Sequence, residues 1–81
     1  MTRTEIRATL SAVDGLSVAE DRATILSRLI ERGAHFDTIG AGVAATITLH
    51  DIRAIGPDRA TAAANWILAA QAALDALEEL E

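Results

Sequence analysis

The chain has 81 residues, enough for one domain and too few for a second core. Apolar residues make up 51% of it, yet 18 of them are alanine, and Cys, Lys and Tyr are absent. That composition excludes a disulfide framework and a thiolate metal site, and it disfavours a Lys-dependent phosphate loop and intrinsic disorder. The net charge of -5 is the wrong sign for phosphate neutralisation, and all of it lies after residue 35.

In chain order, Thr2-Arg3-Thr4-Glu5 has the pattern of a helix capping box. Ile6, Leu10 and Val13 follow at helical spacing and predict a helix over 3–13, ended by Asp14-Gly15. A second capping box, Ser17 to Glu20, opens a predicted helix over 18–32 with a core stripe of Ile25, Leu26, Leu29 and Ile30. Gly33 is its expected terminator. Residues 34–42 read as a connection, with Phe36 and Ile39 lying back on the core.

Residues 43–55 read two ways. Ala45 to Leu49 alternate with period two, as in a strand that breaks at His50-Asp51. Leu49, Ile52 and Ile55 also share one side of a helix. Helix is preferred, because an isolated hairpin would have no sheet to join. Gly56-Pro57-Asp58 then punctuates the chain, and a last helix over 57–80 carries an apolar stripe from Trp66 to Leu80. The expected fold is therefore an all-α antiparallel bundle of three to four helices over 1–81. The alternative is an α+β fold with a short strand or hairpin at 45–55.

Chemistry is sparse. His35 and His50 lack metal-ligand spacing, and Ser11, Ser17 and Ser27 fall in helices or caps, so no metal, cofactor or enzymatic activity is expected. Met1 to Ile6 lack the apolar run of a signal peptide, and the alanine-rich stretch from Ala62 to Leu77 is too weakly apolar for a membrane span. Cytoplasm is the default compartment. Nine of the seventeen residues from Ala60 to Ala76 are alanine, and Ala62, Ala69 and Ala76 lie seven apart, which suits a second helix-packing seam. With Leu68, Asp75 and Glu79 they form the expected interaction surface. The function expected from these features is a non-catalytic acidic helical module, self-associating or binding and blocking a larger protein. Small accessory proteins of mobile elements share that profile.

Two stretches resemble motifs of known families. Phe36 to Ala41 and Thr46 to Leu49 resemble the flanks of the carrier-protein motif, but Gly42-Val43-Ala44 stand where its modifiable serine would be. Thr48 to Gly56 resembles the first helix and turn of helix-turn-helix repressors, followed by a recognition helix from Pro57. That resemblance implies a DNA-binding regulator using residues 48–66, with Arg59 and Asn65 facing the groove.

Overall fold

The computed structural model describes residues 3–17 and 20–79. Their order is α1 (Arg3–Ala12), α2 (Arg22–Glu31), β1 (His35–Ile39), β2 (Ala44–Leu49), β3 (Ile52–Gly56) and α3 (Arg59–Glu79). The three strands form an antiparallel meander with β2 in the centre. The fold is thus α+β, and the expected all-helical bundle is wrong. The alternative with a hairpin at 45–55 is the correct one, enlarged by a strand at 35–39 where the sequence reads as a connection.

The helices begin and end for local reasons. Ser17 Oγ accepts the Glu20 N–H at 3.4 Å as the capping box requires, but the helix itself starts four residues later than expected, at Arg22. The expected start at Val18 lies outside the described residues, as do Thr2 of the first capping box and Leu80 of the last helix. At the other end of α2, Gly33 adopts a φ of +100°, and its N–H bonds to Ile30 O while the Ala34 N–H bonds to Leu29 O. This pair of bonds satisfies carbonyls that the helix end leaves open.

Helix α3 starts at Arg59, two residues after the expected position, because Asp58 is its N-cap. The Asp58 carboxylate accepts the Thr61 N–H at 2.7 Å, and Asp58 O accepts the Ala62 N–H. The bond to Thr61 holds the Asp58 carboxyl below the usual carboxylate range, with a smaller contribution from Arg22. A folded-state pKa below the unfolded one contributes stability above the ordinary carboxylate pKa, lost as pH falls through the folded value. Asp58→Asn retains a capping acceptor but has no proton to take up. Acid titration of the two proteins by circular dichroism should therefore show a shallower loss of stability in the variant. Identical acid limbs would show that Asp58 contributes no pH-dependent stability.

The hairpins supply the sheet. Between β1 and β2 the chain turns through Gly40, Ala41 and Gly42, all with positive φ, and Val43 donates its N–H to Gly40 O. Between β2 and β3 the turn is His50-Asp51, at φ +54° and +63°. Two successive positive φ values match the right-handed twist of the flanking strands, although Asn-Gly is the usual pair there. Register follows: Phe36, Ile47 and Ala54 stand side by side across the three strands, as do Asp37, Thr46 and Ile55 on the opposite face.

Helix α3 lies along β3 and then β2, running back from Gly56 toward the His50-Asp51 turn. Ala62, Ala63, Trp66 and Ala70 face inward and meet Ala45, Ile47, Leu49 and Ile52 of the sheet in the core. Helices α1 and α2 pack on α3 and add Ile6, Val13, Ile25 and Leu29. At 21 residues α3 outruns strands of five or six. The protein is accordingly elongated, with extents of 42 × 25 × 18 Å. Among the described residues no helix is long and apolar enough to cross a membrane.

Candidate interaction surface

All helix packing falls on one side of the sheet. The opposite face presents His35, Thr48 and Arg53 in one row, Asp37, Thr46 and Ile55 in the next, and Ile39 with Ala44 in the last. Thr46 on the central strand is buried, but His35, Asp37, Ile39, Thr48, Arg53 and Ile55 are exposed. Ile39 is 40% exposed, Ile55 52%, and Val43 on the adjoining hairpin 77%. An antiparallel sheet with one solvated face ordinarily carries polar side chains there. Large aliphatic side chains on it mark a contact surface when they cluster. An open depression of about 290 Å³ lies among Thr46, Arg53, Ala54 and Ile55.

Each edge strand of the sheet spends one backbone group on a side chain. On β1 the Asp37 carboxylate accepts the Thr38 N–H at 2.8 Å, so that amide is turned away from the ladder and already used. On β3 the Ile55 carbonyl accepts Asn65 Nδ2 at 2.7 Å. Charge and side-chain capping at edges are how proteins discourage edge-to-edge pairing.

The residues expected to form the interaction surface are divided by the fold. Ala62 is fully buried against β3, and Ala69 is half-buried. Leu68, Asp75, Ala76 and Glu79 are exposed along α3. The expected DNA contacts both lie in the first turns of α3, where the Arg59 guanidinium is 5.8 Å from the Phe36 ring centroid and Asn65 Nδ2 donates to Ile55 O. Residues 48–56, expected as the first helix of a helix-turn-helix, are the end of β2, the turn and β3. Sequence reasoning misses Ile39, Val43, Ile55, Asp37 and Arg53 as surface residues. Their signal is the strand alternation over 45–49, which continues into β3 once the turn at His50-Asp51 is recognised.

His50 forms the other polar cluster. Thr9 is fully buried, and its hydroxyl donates to Glu5 O at 3.0 Å, the usual bond of a helical threonine to the preceding turn. Thr9 Oγ also lies 2.7 Å from His50 Nε2, within hydrogen-bond distance. His50 Nδ1 then faces Glu5 Oε2 at 3.6 Å. The His50 side chain is only 15% exposed and lies against Trp66, with ring centroids 6.4 Å apart. Trp66 Nε1 in turn donates to Leu49 O and Ile52 O, at 3.2 Å each. These contacts clamp the β2–β3 turn between α1 and α3. A groove of about 440 Å³ beside them is lined by Glu5, Thr9, Glu31, Arg32 and His50. Among the described residues no three His, Asp or Glu side chains gather as metal ligands.

Comparison of the chain with protein-family models, with curated proteins and with solved structures finds no match. The class the coordinates define is a helix-backed, three-stranded antiparallel sheet with one open face.

Proposed function

We propose that the chain is a non-catalytic protein-interaction module whose working surface is the open face of the sheet. One observation carries this reading: Ile39 and Ile55 are exposed on that face and Val43 on its hairpin, where a solvated sheet face ordinarily carries polar side chains. The polar cluster at His50 spends its hydrogen bonds on neighbouring structural elements, which supports a structural role for it. The expected surface on α3 is less favoured, since Leu68 is its exposed large side chain and Ala62 belongs to the core.

The test is capture of partners from a lysate of the source cells by tagged wild type, Ile55→Arg and Leu68→Arg. Ile55→Arg should lose the partner and Leu68→Arg should keep it. The reverse pattern would move the site to α3.

A second reading runs through nucleic acid, and Arg53 favours it: this exposed side chain stands on an edge strand of the antiparallel sheet, and some proteins place strands in a DNA groove. The net charge of -5 opposes it. An electrophoretic shift at low salt that disappears in Arg53→Ala would establish this reading in place of the first. No shift at micromolar protein would dismiss it.

A further inference from the structure

We infer that the partner covering the open sheet face is a second copy of this chain, stacked face to face about a twofold axis parallel to β2. The inference rests on the reading that this face is the working surface, and two features of the face point to self-association.

The first is charge. The chain is strongly acidic, but the ordered strands of this face carry one acid, Asp37, and one base, Arg53, on opposite edge strands. A twofold parallel to β2 places β3 of each copy over β1 of the other. Arg53 then lies above the His35 end of the partner's β1, one pleat from the partner's Asp37. That step is about 7 Å at ~3.4 Å per residue, within reach of an arginine side chain across sheets packed about 10 Å apart. The symmetry makes the contact twice.

The second is shape. The central strand has no bulky side chain on this face: Ala44, Thr46 and Thr48 of β2 would cross their own copies at the axis. Ile55, on the outer strand, stands over the partner's Asp37, one pleat from the partner's Ile39. Small residues along the axis let the two sheets approach without a clash between copies of one bulky side chain.

A three-stranded face is smaller than a standard interface, so dimerisation is expected toward the weak end, between low micromolar and millimolar protein. The experiment is light scattering over that range on wild type, Arg53→Glu, Asp37→Arg and an equimolar mixture of the two variants. Circular dichroism on each variant confirms that it is folded. Wild type should approach twice the 8.5 kDa chain mass. Each variant alone should remain at monomer mass, because like charges then meet at both contacts. The mixture should recover the doubled mass: the introduced acid meets the introduced base at one contact, and the native Arg53 and Asp37 meet at the other. A change in folding cannot produce that recovery.

A wild type that stays monomeric to millimolar concentration overturns the inference, as does a dimer that both variants retain. If the protein is monomeric and Ile55→Arg still loses a captured partner, self-association fails and the sheet-face reading stands. If Ile55 matters to neither, both fail.

Discussion

Gly56→Ala is expected to destabilise the fold by about 3 kcal/mol, the upper part of the range for forcing extra atoms into a packed site. A Cβ at this position would lie 2.6 Å from Ala62 N, 2.9 Å from Thr61 C and 3.0 Å from Thr61 Cβ. Two of these three are backbone atoms of α3, which cannot swing aside as a flexible side chain would. The only relief is to lift the start of α3 off β3, and that would open the contact among Ala62, Ala63 and the sheet. Gly56 is required here for space, since its φ lies outside the left-handed region. Urea unfolding of variant and wild type reads the difference. A loss under about 1 kcal/mol would mean that α3 stands further from the sheet than described.

Trp66→Ala is expected to cost about 3–5 kcal/mol, the usual penalty for emptying a large buried aromatic site. Trp66 is fully buried at the meeting point of α3, the sheet and the two N-terminal helices. Its indole N–H is shared between the carbonyls on either side of the β2–β3 turn. Trp66→Phe separates the two contributions. It preserves much of the ring volume but leaves both carbonyls without their donor, at a cost of about 1–3 kcal/mol. If Phe is as harmful as Ala, the turn clamp dominates. If Phe is nearly neutral, packing does. An Ala variant within about 1 kcal/mol of wild type would show that Trp66 is peripheral.

The helices are legible because their determinants are local. The stripe from Trp66 to Leu77 and the Gly33 terminator are set by residues within a few turns of one another. The sheet is not legible, for two physical reasons. In β1, Phe36 and Thr38 point inward while Ile39 points out, so the strand shows no alternation of apolar and polar residues. Without β1 a hairpin at 45–55 has nothing to join, and helix becomes the better reading. The turn itself uses His50-Asp51 at positive φ, where local preference calls for Asn-Gly. What holds it is distant in sequence: Thr9 on His50, and Trp66 on the flanking carbonyls.

The expected surface fails for a related reason. Ala62, Ala69 and Ala76 lie on one seam of α3, but a helix of 21 residues is roughly 31 Å long at ~1.5 Å per residue. A five-residue strand covers only about 17 Å of it. The sheet buries Ala62 and ends before Ala76, so a seam continuous in sequence is divided between core and solvent. The open face is hidden in the sequence for the same cause as the sheet: its rows join residues from three strands, and no periodicity along the chain pairs Asp37 with Ile55. The candidate site therefore depends on the register between strands.

That this protein pairs with itself through the open sheet face is tested most directly by following backbone amide chemical shifts by NMR as protein concentration rises from micromolar to millimolar. Changes should concentrate at His35, Asp37, Ile39, Ala44, Thr46, Arg53 and Ile55, with Leu68, Asp75 and Glu79 unmoved. Changes confined to the exposed side of α3, or none at millimolar concentration, would contradict it.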